Sequence, residues 1–407
     1  MLAWVYAPQA TKAAMQVEHV DVLIVGSGPS GSSTALHLVR HDPAWAGRVV
    51  VLDQAVHPRE KLCGGGVTHI GYNILTRLGL RFEPAHVKVH EARLVYRGRC
   101  CSLYGDPVFR IVRRDEFDHW LVRVAEGLGV RNRQGEKVLG VRREEDFVEV
   151  STTQAIFRAQ AVVAADGSRS FVRRALDWDG ESRVARALEV LTPEPGHSRV
   201  EFRDGVAVFD FTPLGDGLQG YTWDFPSTLA GQPFMNRGVF DSRACPQRPR
   251  ADLKRILRES LAQRDRRLEE HTLKGHPIRW WDRNSRLAMP RVLLVGDAAG
   301  VDPLMGEGIS FALGYGEVAA GAIVDAFARR DFSFAAYRDR LLAHPLFVQL
   351  DARVRLARLL YRIASPRLIH LVWEIVCWRL RRSPWRTPDF SADEPISSRL
   401  TNTAGSI

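Results

Sequence analysis

Val20-Asp21-Val22-Leu23-Ile24-Val25-Gly26-Ser27-Gly28-Pro29-Ser30-Gly31 is the stretch on which the fold turns. Its first six residues are apolar except for Asp21 and rich in β-branched side chains. They read as a short strand buried on both faces. Three glycines in G-x-G-x-x-G spacing follow at once, and Ser32-Ser33-Thr34-Ala35-Leu36-His37-Leu38-Val39 continues as a helix. Gly26 permits the tight turn, Gly28 lets the backbone approach a ligand, and Gly31 lets helix and strand pack closely. The helix N-terminus directs unpaired N–H groups at that ligand, which is therefore anionic.

Working outward, Val49-Val50-Val51-Leu52 forms a second strand, closed by Asp53. That carboxylate stands 22 residues beyond Gly31 (53 − 31), where it would hydrogen-bond a ribose hydroxyl. An adenine dinucleotide fits, although this unit does not choose between FAD and NAD. Two later segments do. Ala161-Val162-Val163-Ala164-Ala165 is a strand that ends in Asp166-Gly167, followed by Arg169, Arg173 and Arg174. Val292-Leu293-Leu294-Val295 is another, ending in Gly296-Asp297. The Asp297 carboxylate can accept hydrogen bonds from ribityl hydroxyls. The Gly306–Gly308 turn opens a further helix, whose N-terminus can stabilise negative charge on a reduced isoalloxazine.

With these three motifs in order, residues 18–340 resemble the FAD-dependent oxidoreductases with the p-hydroxybenzoate hydroxylase type of fold. The segment Pro58-Arg59-Glu60-Lys61-Leu62-Cys63-Gly64-Gly65-Gly66 is similar to the P-x-x-K-x-C-G-G-G of geranylgeranyl reductases. Tyr221-Thr222-Trp223-Asp224-Phe225-Pro226 is similar to their Y-x-W-x-F-P, and Gly306-Glu307-Gly308-Ile309 to their GEGI. Two departures stand out: Leu62 replaces the usual proline, and Asn236-Arg237-Gly238 stands where G-x-G is common.

The resemblance implies FAD contacts at Gly26, Gly28, Pro29, Ser30, Gly31, Asp53, Gln54, Lys61, Cys63, Gly64, Gly65, Arg114, Asp166, Gly167, Gly296, Asp297, Gly306, Gly308 and Ile309. It implies substrate contacts at Tyr221, Trp223, Phe225 and Pro226, with Cys63, Tyr221 and Trp223 nearest the chemistry. The three consecutive glycines would let backbone run close to the flat flavin. Each feature also has a plainer meaning. Cys63 could be a small apolar filler, Tyr221, Trp223 and Phe225 could be one face of a core strand, and Arg114 a solvated helix-start arginine.

The whole chain has 407 residues, 45% hydrophobic and 26% charged, with a net charge of +10. This is globular composition in two or three domains. The expected fold class is α/β: a Rossmann-type FAD-binding domain with an antiparallel β-sheet substrate domain and a helical C-terminal segment. Residues 15–178 form the first part of the FAD-binding domain and 179–282 the antiparallel-sheet domain. Residues 283–345 return the chain to the FAD-binding domain, and 346–407 form a basic helical region. Cys63, Cys100, Cys101, Cys245 and Cys377 make no C-x-x-C pair, so no metal site is expected and a reducing, cytoplasmic setting fits. The opening MLAWVYAPQATKAAMQ has no basic n-region before an apolar run, so no secretory signal is expected, and residues 1–14, before Met15, read as an upstream-start artefact or a loose tail.

Residues 351–387 carry nine arginines against Asp351 and Glu374, a local charge of 9 − 2 = +7. Leu368-Ile369-His370-Leu371-Val372-Trp373-Glu374-Ile375-Val376-Cys377-Trp378 lies among them, with Trp385 beyond. Eleven residues are too few to span a bilayer. A basic, tryptophan-bearing amphipathic helix suits the surface of an anionic membrane at its inner face. A helix packed on the flavin domain with solvated arginines is the alternative. The charge is local and no nucleic-acid module is recognised, so nucleic acid is not an expected partner.

The expected activity is FAD-dependent reduction of carbon–carbon double bonds in an isoprenoid chain of a lipid, quinone or tetrapyrrole, with NAD(P)H or another reductant as donor. A flavin monooxygenase or halogenase on a small molecule shares the fold, and a non-catalytic flavoprotein with a membrane partner is a further alternative. A halogenase would want W-x-W-x-I, whereas only Trp223 stands in the corresponding segment.

Overall fold

The computed structural model describes residues 16–178, 183–196 and 199–382. The expectations for residues 1–14, Trp385, Arg386 and the rest of 383–407 lie outside these.

The glycine-ended strand Val17–Val25 is the centre of the first sheet. It pairs in parallel with Val49–Asp53 on one side and Ile156–Ala164 on the other. Val292–Leu294 joins beyond Ile156–Ala164, and Arg131–Gln134 beyond Val49–Asp53. The strand cores are fully buried, as unbroken Val/Ile/Leu runs require. Helices Pro29–His41, Arg114–Gly127 and Ile309–Arg329 pack beside them. The parallel order brings the GxGxxG, Asp166-Gly167 and Gly296-Asp297 turns to one end of the sheet, where an open α/β fold binds its ligand.

The second sheet runs Lys274–Arg279, Val184–Pro193, Gln232–Asp241, Gly220–Leu229, Val206–Asp210, His86–Tyr96, Arg99–Val112, Gly66–Thr68. All neighbours are antiparallel except Val206–Asp210 with His86–Tyr96. The sheet therefore draws three strands from 66–112, stretches that a division at 178 assigns to the FAD-binding domain. The alternating text at 86–112 signals a hairpin, but no local signal names the sheet it joins. Along Gly220–Leu229 the period of two holds: Tyr221, Trp223 and Phe225 enter one aromatic cluster, while Asp224 pairs with buried Arg237 across the strand at 2.9 Å.

The C-terminal region forms helices Tyr337–Ala343, Pro345–Leu360 and Pro366–Arg382. The last packs Ile369, Trp373 and Cys377 on Tyr96 and Cys101 of the second sheet, rather than on the flavin domain. Trp373 is thus buried, contrary to a membrane-facing role. Among the described residues, the helix long and apolar enough to cross a membrane is Ile309–Arg329, two-thirds buried within the protein.

Candidate functional site

The glycine loop is built by contact. Gly26 has φ +106°, and a Cβ there would lie 2.4 Å from the Ala165 carbonyl oxygen. A Cβ on Gly31 would lie 1.9 Å from the Gly26 oxygen. A Cβ on Gly28 would meet only the Arg59 Nη2 at 3.6 Å. Two of the three glycines are therefore demanded by the fold itself, and Gly28 is left over for a ligand. The helix that starts at Pro29 has no side-chain cap, so its first N–H groups remain for an anion. Ser30 packs under Gly296 at the second motif: a Cβ on Gly296 would lie 2.5 Å from Ser30 Oγ.

Asp53 Oδ2 accepts from Ser27 N at 3.0 Å and Ser27 Oγ at 2.7 Å, and Oδ1 from Ala55 N at 2.9 Å. Burial alone would raise its pKa, but His57, the Ala55 amide, Ser27 and Arg59 together hold the carboxyl below the usual range. It is an ionised acceptor, as a ribose contact needs. Gln54, next in the chain, is exposed. Arg59 Nη2 lies 3.3 Å from Asp118, which also accepts from Arg114 Nε and Nη2 at 2.8 Å each. Arg114 is therefore a buried, carboxylate-fixed cation and not a solvated one.

At the far end of the cradle, Asp166 Oδ2 accepts from Val172 N at 3.0 Å, while its Oδ1 is buried without a partner. Gly167, beside it, has φ +79° and open space at its Cβ. Asp297 Oδ2 lies 4.0 Å from His276 Nε2, which is 2.6 Å from Lys61 Nζ and 3.2 Å from Ser168 Oγ. Burial and the neighbouring Lys61 lower His276 to about 4, so the neutral ring accepts from the ammonium. Lys61 thus points inward. The turn Gly306–Gly308 passes beside Asp297, with Gly308 Cβ space bounded by Asp297 Oδ1 at 3.7 Å, and Ile309 begins the core helix. An unpartnered carboxylate oxygen, an uncapped helix start and a glycine with ligand-sized freedom all fit an adenine dinucleotide with a polyol.

The C-G-G-G loop meets the second sheet directly. Cys63 N donates to Glu189 Oε1 at 3.2 Å, Asn236 Nδ2 donates to the Cys63 carbonyl at 3.1 Å, and Trp223 Nε1 donates to Asn236 Oδ1 at 2.7 Å. A Cβ on Gly64 would sit 3.1 Å from the Phe225 ring, and one on Gly65 (φ +79°) 2.1 Å from the Val112 oxygen. The glycines therefore let the loop run flat over the protein's own aromatic sheet, a demand that stands without any flavin. Tyr221 donates to the Met305 carbonyl, which ties the same strand to the Gly306 turn. Pro226, next to Phe225, is buried at a register position opposite Met235.

Tyr221, Trp223 and Phe225 are each at least 93% buried, with Phe209 centred 5.0 Å from Phe225 and 5.3 Å from Tyr221. They fill a core and do not line an open greasy slot. The cavity beside them, about 340 Å³, is bounded instead by Lys61, Cys63, Arg114, Glu189, Ser227 and Asn236 among others. Its wall is largely polar. Glu189 Oε2 is buried on that wall without a partner. Burial lifts its carboxyl to about 7, against the Cys63 N–H and Asn236, which favour the ionised form. Among the described residues no cluster could hold a metal ion.

Glu189, Asn236, His276 and Asp118 were not singled out by the sequence. Asp118 alone had a local signal, its i,i+4 spacing from Arg114. Asn236 lies in the segment that departs from the reductase pattern, and Gly238 in that segment is demanded by Trp223, whose ring would be 2.2 Å from a Cβ there.

The family described as FAD binding domain matches residues 19–314. The menaquinone reductase of Mycolicibacterium smegmatis is 32% identical over 373 residues, covering 82% of this chain and 87% of that protein. A geranylgeranyl bacteriochlorophyll reductase-like protein of Thermoplasma acidophilum superposes with a TM-score of 0.73 at 22% identity, over 89% of this chain and 92% of that one. The p-nitrophenol 4-monooxygenase PnpA of Pseudomonas putida superposes with a TM-score of 0.68 at 19% identity, over 89% and 94%. These two likenesses carry the fold.

Proposed function

We propose, for a chain that belongs to the geranylgeranyl reductase family of FAD-dependent oxidoreductases, that it saturates carbon–carbon double bonds in the isoprenoid side chain of a quinone. The observation that carries this is the bonded connection from Trp223 through Asn236 to Cys63. It joins the two segments that resemble geranylgeranyl reductases into one wall. The menaquinone reductase relative favours a quinone over the lipid and tetrapyrrole alternatives.

Bound FAD, reduced by a pyridine nucleotide or another two-electron donor, would supply the hydride for one alkene carbon. The other carbon needs a proton. Glu189 is the acid that the wall provides, because its carboxyl near 7 is partly protonated at neutral pH and its Oε2 has no competing partner. Cys63 stands next to it, its Sγ accepting from Gly65 N at 3.3 Å. Arg114 and Asp118 would hold the loop and cofactor in register. Gly26, Gly28, Gly31, Asp53, Asp166 and Asp297 would bind the dinucleotide.

The test is an anaerobic reduction followed by addition of menaquinone with an unsaturated side chain. After air reoxidation, a mass gain of about 2 Da per bond supports the reading, since a ring hydroquinone loses its two hydrogens again and a saturated chain does not. A mass gain of about 16 Da, one oxygen atom, with oxygen consumed in step with donor oxidation would favour the monooxygenase reading instead.

A further inference from the structure

The helix Pro366–Arg382 has two apolar faces, and the protein uses one. Ile369, Trp373 and Cys377 recur every four residues and are buried against Tyr96 and Cys101. Leu368, Leu371, Ile375 and Trp378 recur at spacings of three, four and three and are 52%, 55%, 55% and 52% exposed. At about 100° per residue the second set is a single stripe on a different side of the helix. Four large side chains half in water are an exposed patch that calls for a partner.

The charge around the stripe is of one sign. Arg367, Arg379, Arg381 and Arg382 are exposed on this helix, and Arg355, Arg358 and Arg362 just before it. The Arg382 guanidinium carbon sits 4.5 Å from the Trp378 ring centroid. The helix's single acid, Glu374, pairs with Arg99, and Asp351 is taken by Arg283 at 3.0 Å. Arg353 belongs to the interior, bound to Asp302 and Glu307, and plays no part in this surface.

We infer that this face docks on an anionic lipid bilayer, with the helix in the plane of the headgroups. Leu371, Ile375 and Trp378 enter the acyl boundary while the arginine stems reach up to the phosphates. A second copy of the chain would set arginine against arginine, and a polyanion such as nucleic acid has no use for the leucine stripe. The helix has 17 residues, and its arginines forbid a transmembrane course. This inference does not depend on the reaction proposed above, and a binding measurement tests it without turnover.

The experiment is flotation of the full-length, FAD-loaded protein with phosphatidylcholine vesicles, plain or containing phosphatidylglycerol. Binding to the anionic vesicles is expected to be at least about tenfold stronger, and to weaken as salt is raised. The double variants Leu371→Glu/Ile375→Glu and Arg379→Glu/Arg382→Glu should each lose about tenfold or more, with flavin absorbance and melting temperature kept. Equal binding to both vesicles, no binding, or double variants that bind like the wild type would overturn it. So would a wild-type dimer in solution that the Leu371→Glu/Ile375→Glu variant converts to a monomer, since the face would then belong to a second copy.

Discussion

Arg353 Nη1 donates to Glu307 Oε2 at 2.6 Å, and this ion pair fastens the C-terminal helices to the Gly306–Gly308 turn. The same nitrogen reaches Asp302 Oδ2 at 2.8 Å, and Glu307 Oε1 accepts from Thr68 Oγ1 at 2.7 Å. One guanidinium neutralises two carboxylates, with Asp302 fully buried and Glu307 10% exposed at its side chain. Arg353→Met should leave both acids without their cation and cost about 3 kcal/mol. Thermal unfolding checks the cost. Flavin retained after desalting checks the coupling, which should fall in the variant because the turn beside Asp297 is loosened. A variant that melts like the wild type would show that the pair contributes nothing net.

Two glycine substitutions should separate fold from ligand. Gly31→Ala places a Cβ 1.9 Å from a backbone oxygen, a clash that cannot be relieved by a side-chain rotation, so the variant should not yield folded protein. Gly28 has φ −68°, which alanine adopts freely, and only the far end of Arg59 lies near its Cβ. Gly28→Ala should change apoprotein stability by under about 1 kcal/mol. It should nevertheless weaken FAD binding by about tenfold or more, because the methyl occupies the space left for the pyrophosphate. Circular dichroism of the apoprotein and flavin titration give the two readouts. Normal FAD affinity in Gly28→Ala would place the dinucleotide elsewhere.

How much of this was legible follows from the range of each interaction. The first sheet was, because a buried strand, its terminal glycine or aspartate and the next helix all lie within a few residues. The Glu189 and Asn236 bonds to Cys63 were not, since they span 126 and 173 residues and neither residue stands in a patterned motif. Trp373 and Trp378 show a different limit. Both fall on helical periods, one at 369/373/377 and one at 371/375/378, and periodicity cannot say which face meets the sheet. Arg353 was counted among the solvated arginines because its acids lie 51 and 46 residues away.

The seam between the last helix and the second sheet can be watched through its cysteines. Cys101 and Cys377 are both buried there, and burial together with its neighbour Cys377 pushes the Cys101 thiol up to about 12. The thiolate is the reactive form. Iodoacetamide at pH 8 should therefore modify exposed Cys100 and half-buried Cys63 and Cys245 while sparing Cys101 and Cys377, as read by peptide mass spectrometry. In rising denaturant the two spared thiols should become reactive together, reporting release of the helix. Native labelling of Cys377 would mean that the helix leaves the sheet without unfolding.

Glu189 carries the pH prediction. Its folded carboxyl titrates at about 7 against an ordinary 4.5, because burial disfavours the charge. A raised acid binds its proton more tightly in the folded state, so stability is lost as pH climbs from 4.5 to 7 and stays lower above that. That difference corresponds to on the order of 3 kcal/mol. Glu189→Gln keeps an acceptor for the Cys63 N–H and never ionises. It should be more stable than the wild type at pH 8, by up to that amount, and the two should converge near pH 4.5. Denaturant unfolding of the apoproteins across this range measures the gap. If Glu189 also delivers the proton, single-turnover alkene reduction should lose its decline above pH 7 in the variant and run slowly at every pH. An unchanged rate profile beside the expected stability gap would leave Glu189 a wall residue and return the proton to Cys63 or water.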